Sequence, residues 1–183
     1  MRWMGRQPEL ALLAMWLLAT PGLRPLMLPD EGRYATVAFE MLRGDALVPL
    51  LNGLPFFHKP PLLYWLDQAA MAVLGVNVFA VRLGPACMAW ALGVGLFLHL
   101  RHWHGVAVAR AGLAVLATSP LFFVGAQYVN HDMGVAACIG LALLAFVQAA
   151  DGPAPTRQRQ RPRASAGCWR AGPCAAWVCW PRA

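Results

Sequence analysis

Four apolar runs, at residues 10–28, 79–100, 111–127 and 133–150, constrain this chain more than any other feature. Each approaches the roughly 20 residues that an α-helix needs to cross the hydrocarbon core of a bilayer. In lipid, backbone polar groups must be satisfied within the protein, and unbroken apolar runs achieve this as helices. The chain is 59% hydrophobic and 13% charged, against about 25% charged in soluble domains. An all-α integral membrane protein with about four transmembrane helices is therefore expected. The run at 10–28 is interrupted by Pro21 and Gly22. A cleaved signal peptide with Leu10 to Ala19 as its core is the alternative there. Apolarity resumes at Leu23 and no small-x-small cleavage pattern stands out, which favours a span.

The net charge is +7, and 14 of the 15 cations are arginine. Nucleic acid is excluded as a partner, because the basic residues lie at segment ends and in the tail. Placing Arg2 and Arg6 in the cytoplasm orients everything else. The first span puts residues 29–78 outside, the second returns Arg101, His102, His104 and Arg110 inside, the third puts Asp132 outside, and the fourth returns the arginines at 157–163 inside. Every basic cluster then obeys the positive-inside rule. A crossing by residues 62–74 would place Arg101–Arg110 outside and separate Asp132 from Asp30 by the bilayer. The five cysteines form no CxxC, and Cys87 and Cys138 lie inside apolar runs, so neither a zinc site nor a disulfide framework is indicated.

The loop that this orientation exposes holds most of the chemistry. Residues 29–66 carry Asp30, Glu31, Arg33, Glu40, Arg43, Asp45, His58 and Lys59, including four of the eight acids and the one lysine. Ionisable groups packed between membrane segments are costly and usually functional. Asp30 to Arg43 has an apolar face of Tyr34, Val37, Ala38, Met41 and Leu42, with Arg33, Thr36, Glu40 and Arg43 opposite. It reads as a helix lying in the membrane interface. Asn52-Gly53 with Pro55 is a turn signal. Pro60-Pro61 opens a second helix, 62–74, too short to span and carrying Asp67 and Gln68. It is expected to be interfacial, with Tyr64 and Trp65 at the headgroup level.

The pattern resembles the first extracytoplasmic loop of lipid-dependent glycosyltransferases related to aminoarabinose transferase and the protein O-mannosyltransferases. The matching residues are Asp30-Glu31, the segment Gly32 to Ala35, Asn52 to Pro55, and Lys59-Pro60-Pro61-Leu62. Weaker matches lie at Arg82-Leu83, Thr118-Ser119-Pro120 and Asp132-Met133. The resemblance covers residues 1 to about 150. It implies the N-terminal membrane part of a larger GT-C fold, and a hexosyl or pentosyl transferase working at the extracytoplasmic face of a bacterial inner membrane. The donor would be a polyprenyl-phosphate-linked sugar, and the acceptor a lipid or a protein.

Such transfer needs a carboxylate to activate the acceptor oxygen and a cation to hold the donor phosphate. The resemblance assigns Asp30 as the base, with Asp132 as a second carboxylate and Glu31 as a further acidic site residue. Capping or favouring helix N-termini is the ordinary alternative for all three. Lys59 is assigned to the phosphate, against the alternative of a snorkelling lysine. Arg82 could pair with phosphate, pair with an acid, or anchor the interface. His58 departs from a family pattern in which Glu often precedes the lysine. It could meet a sugar hydroxyl or a metal ion, or face solvent. No organic cofactor is required, and a divalent cation is left open. A non-enzymatic transporter or flippase fragment is the competing function. It predicts mid-span charges and inverted repeats, and the sequence shows few of the former and none of the latter.

Residues 151–183 differ in vocabulary. They are rich in Arg, Cys and Trp, and Gly152 to Ala183 holds no acid. The segment reads as a disordered cytoplasmic tail or, better fitting its text, as translation past a frameshift in a GC-rich gene. Because the resembled family continues through many more spans, the chain as written is expected to be truncated and inactive.

Overall fold

The computed structural model describes residues 7–150, and the tail at 151–183 lies outside them. The described chain has seven helices, α1 Pro8–Leu18, α2 Asp30–Arg43, α3 Leu62–Leu74, α4 Val78–His104, α5 Val106–Thr118, α6 Pro120–Gln127 and α7 His131–Ala150, and a two-stranded ribbon, β1 Leu50–Leu51 and β2 Leu54–Pro55. α4 is the central element, and α1, α3, α5, α6 and α7 all pack on it.

Two helices, α4 and α7, are long and apolar enough to cross a membrane, and a third crossing results if the bent pair α5 and α6 is one span. Four spans were expected, and the difference lies at 10–28. Helix α1 ends at Leu18 after 11 residues, about 16 Å of helix against a hydrocarbon core of about 30 Å. Pro21, Pro25 and Pro29 follow at four-residue spacing, and each removes one helical amide. The expected span at 111–127 also breaks. Ser119, held extended at φ −67° and ψ 119° before Pro120, separates α5 from α6, which meet at 64°. Pro85 sits inside α4 without ending it.

The local signals in the loop act as their chemistry dictates. Asn52 and Gly53 adopt φ 55° and 76°, the left-handed pair of a two-residue hairpin turn, and Leu50 pairs with Pro55 across it. The Glu40 carboxylate accepts from both turn amides, Asn52 N at 2.8 Å and Gly53 N at 3.1 Å. Between α3 and α4, the Asn77 side chain caps α4 by accepting from Ala80 N at 2.8 Å.

Two cores result. Tyr34, Val37, Ala38 and Met41 of α2 meet Leu63, Tyr64 and Met71 of α3, with Ala80, Val81 and Val129. Leu13 and Leu17 of α1 meet Ala89, Phe97, Leu113, Phe122 and Met133 in the second. Glycines let α4 and α7 approach closely. A Cβ on Gly140 would lie 2.6 Å from a methyl of Leu92, the small-residue packing usual between membrane helices.

Candidate functional site

Glu31 is the hub that joins the N-terminus of α2 to the linker before α7, and Pro60, beside Lys59, lines one cleft with His131 at the start of α7. The Glu31 side chain is fully buried. One carboxylate oxygen accepts from Arg82 Nε at 3.0 Å, Arg24 Nη2 at 3.2 Å and the Val129 amide at 3.1 Å. The other accepts from Arg82 Nη2 at 2.9 Å, Arg24 Nη1 at 2.8 Å and the Met27 amide at 2.7 Å. Burial alone would raise its pKa. The hydrogen bonds from Arg82, the Met27 amide, Arg24 and the Val129 amide more than offset that and hold it down at about 2.

Arg82 is equally buried. Beyond Glu31, it donates to the carbonyls of Pro21 at 2.6 Å, Arg24 at 2.8 Å and Pro25 at 2.9 Å. A guanidinium has five N–H donors, and these contacts employ all five. In this arrangement Arg82 has none left for a phosphate, and Glu31 has no oxygen open to an acceptor. Of the alternatives open for Arg82, pairing with an acid is the one the structure displays. The proline-rich turns after α1 are thus wrapped around one buried arginine, which explains how carbonyls freed by the loss of helix are satisfied.

Asp30, one residue earlier, is placed differently. It is the first residue of α2, its side chain makes no cap, and Pro29 occupies the capping position. Its partner is Arg33 at 3.2 Å, and both side chains stay partly open, 46% and 37% exposed. Asp30 lies near the α6–α7 linker. Burial and then the charges of Asp30 and Glu31 raise the Tyr128 phenol above its usual range. Asp132, exposed at the start of α7, accepts from Asn130 Nδ2 at 2.7 Å.

Lys59 is exposed and makes no salt bridge among the described residues. His58 is also exposed, its ring stacked on Phe56 at 4.7 Å and 10°. The described residues contain no group of three His, Cys, Asp or Glu side chains that could hold a metal ion. The residues around His58 therefore do not fit a metal centre by themselves.

The structure also brings in residues to which the sequence assigned no role. Arg24 bridges Glu31 and the Gln127 carbonyl at 2.9 Å, and lies over the Tyr128 ring. His131 is 5% exposed and sits edge-on to both Tyr34 and Tyr64, 4.9 Å from each ring. Tyr64 is completely buried within the protein. Trp65 stays partly exposed and donates to the Ala46 carbonyl at 2.9 Å. One turn after Tyr64, Asp67 is also fully buried. It faces Gly84 of α4, where any Cβ would collide with its carboxyl. Burial pushes its pKa well above the usual carboxylate range.

A buried arginine–glutamate hub, an open aspartate beside it, a free lysine and apolar membrane helices together define a membrane protein built to hold ionised groups at the end of its helices. Known proteins place it further. Residues 58–163 match the family described as dolichyl-phosphate-mannose-protein mannosyltransferase, a stretch that includes Lys59, Arg82 and Asp132. The chain belongs to this family of membrane glycosyltransferases. It is 32% identical over 146 residues to an undecaprenyl phosphate-alpha-4-amino-4-deoxy-L-arabinose arabinosyl transferase of Sodalis glossinidius, covering 79% of this chain and 26% of that protein. It is 37% identical over 145 residues to the corresponding transferase of Pseudomonas savastanoi, covering 74% and 26%. The crystal structure of ArnT from Cupriavidus metallidurans bound to undecaprenyl phosphate superposes with a TM-score of 0.75 at 26% identity, over 81% of this chain and 28% of that one. The chain thus spans about a quarter of the length of the relatives it matches.

Proposed function

We propose that this chain forms the donor-handling part of a glycosyltransferase that moves a sugar from a polyprenyl phosphate to a lipid or protein acceptor at the extracytoplasmic face of a bacterial inner membrane. The observation that carries the reading is the hub on Glu31. Its bond to the Val129 amide pins the start of α2 to the linker that leads into α7. Asp30 and Asp132 therefore belong to one end of the bundle, and the Lys59 segment meets that end through Pro60, which lines one cleft with His131. The relatives' names specify undecaprenyl phosphate and an aminoarabinose group, and that donor class suits a site with one free cation and open carboxylates.

In the proposed reaction, Asp30 takes the proton from the acceptor hydroxyl as its oxygen attacks the anomeric carbon. The bond from that carbon to the phosphate oxygen breaks, and the electron pair leaves with the phosphate. Lys59 stabilises the charge that develops there. A single displacement of this kind inverts the anomeric centre. Asp132 orients the sugar or the acceptor. Glu31 and Arg82 hold Asp30 in place rather than touch the substrate, since their polar atoms are taken up by one another and by the backbone. α2 and α3 lie in the membrane interface. The 183 residues alone bind donor without turning it over, because a lipid-sized substrate needs walls on several sides and these residues match about a quarter of each relative.

The test is transfer from a synthetic polyprenyl-phosphate sugar, measured with the Asp30 and Lys59 substitutions placed in a full-length protein that carries this segment. Asp30→Asn keeps the shape and removes the base, and should lower turnover by about 10²- to 10⁴-fold. Lys59→Ala should act chiefly through weaker donor use. Near-normal turnover by Asp30→Asn would refute the assignment.

A further inference from the structure

The start of α7 has a fixed place relative to Asp30 and Lys59 only if it is anchored to both α2 and α3. The Val129 amide, held by Glu31, fixes the α6–α7 linker to α2. α3, with Lys59 just ahead of it, is tied elsewhere. Its Trp65 Nε1 donates to the Ala46 carbonyl at 2.9 Å and its Gln68 Nε2 to the Met41 carbonyl at 3.3 Å, so both bonds reach α2 or the loop after it. α7 packs chiefly on α4, with α6 beside it.

His131 supplies the anchor between α7 and α3. It is the first residue of α7 and is buried. Its ring stands near-perpendicular to those of Tyr34 of α2 and Tyr64 of α3, at 78° and 79°, with each ring centre 4.9 Å away. The two tyrosine rings are 6.2 Å apart, so the three close into one triangle. Aromatic rings attract at such separations and angles. Neither imidazole nitrogen has a hydrogen-bond partner, so the ring works by shape and aromatic contact rather than by a polar bond.

A shift at Tyr64 passes to Lys59 with little loss. Only Pro60, Pro61, Leu62 and Leu63 separate them. Proline fixes its own φ and restricts the residue before it to extended backbone. Lys59-Pro60-Pro61 is therefore a stiff spacer, and Pro61 leads into α3 at φ −75° and ψ −9°. Pro60 and His131 line the same apolar cleft between α3 and α7, so spacer and imidazole are neighbours.

We infer that His131 is a positioning residue: wedged between Tyr34 and Tyr64, it sets the place of Lys59 relative to Asp30 and Asp132. It acts through Lys59 and not on the substrate. The inference rests on the reading in which Lys59 holds the donor phosphate.

A double-mutant cycle on donor KM tests it, measured with a synthetic polyprenyl-phosphate sugar in a full-length protein that carries this segment. His131→Ala should raise donor KM about tenfold, the order expected when two aromatic contacts are lost. In a Lys59→Ala background the same substitution should change it by less than about twofold, because a residue acting through Lys59 then has nothing left to place. A merely structural role would lower the amount of active protein, and with it kcat, without producing this non-additivity. His131→Phe, which keeps an aromatic ring between the tyrosines, should stay within about threefold of the parent. If His131→Ala does not fold, His131→Leu fills the space without a flat ring and should show the same rise. An unchanged donor KM, equal factors in the two backgrounds, or His131→Phe as impaired as His131→Ala would each overturn the inference and leave the role of Lys59 standing. Normal donor KM in Lys59→Ala alone would overturn the Lys59 reading, and this inference with it.

Discussion

Adjacent carboxylates can have unrelated fates, and Asp30 and Glu31 show why. Successive residues on a helix point about 100° apart, so one can face the core while its neighbour faces open space. Glu31 gains six hydrogen bonds and a buried partner, and Asp30 gains one half-exposed arginine. Removing one partner of a buried pair leaves an uncompensated charge, typically at a cost of about 3–5 kcal/mol. Arg82→Met should therefore lower the thermal midpoint in detergent sharply, whereas Arg33→Met should barely move it. The pH dependence has a definite sign. The Glu31 pKa falls from 4.5 unfolded to about 2 folded, so its stabilisation is complete above about pH 4.5 and is lost as pH falls towards 2. That corresponds to something on the order of 3 kcal/mol. The acid-induced loss should be flattened in Glu31→Gln, as read from the thermal midpoint across that window.

Among the elements, the hairpin between α2 and α3 has the clearest division of labour. Its turn residues supply the left-handed backbone, and Glu40 reaches across from α2 to accept both turn amides. The ribbon has only two residues per strand, too little to be stable by itself, so this carboxylate and the packing of Leu51 on the α2–α3 core tie it down. Glu40→Ala should leave the helices intact and raise amide hydrogen exchange at Asn52 and Gly53 by roughly fivefold, from the loss of about 1 kcal/mol per bond. Unchanged exchange would show that the turn holds without α2. Lys59 follows this ribbon closely, so its position relative to Asp30 depends on the same tie.

For the whole molecule, the question is sidedness. α4 is about 40 Å long at 1.5 Å per residue, ample for one crossing. α5 with α6, bent by 64°, supplies the return crossing if the pair is one span. Reporter fusions after residues 45 and 132 should fall on the same, extracytoplasmic side, and a fusion near residue 105 on the other. Opposite sides for the first two would end the idea of a shared site. The short α1 makes a fusion before it informative as well, since 11 residues do not span the hydrocarbon core without help from the proline-rich turns that follow.

What the sequence determined by itself is what short-range physics controls. The bounds of α2 and α3 follow from apolar periodicity and from the prolines and glycines at their ends, and the Asn52-Gly53 turn follows from residues that tolerate positive φ. The resemblance of the Asp30, Lys59 and Asp132 motifs was legible for the same reason, because each is a short contiguous pattern. The break of the first apolar run was present in the text as Pro21, Pro25 and Pro29, yet hydropathy averaged over a window ran across it. Only the tertiary structure decided which charges are spent. That Arg82 is consumed by Glu31 and three carbonyls from 57 to 61 residues away, that Tyr64 and Asp67 turn inward, and that His131 lines an apolar cleft all depend on how α4 and α7 pack against the loop. A free-energy balance of burial against hydrogen bonding sets each of these, and that balance exists only once the distant segments meet.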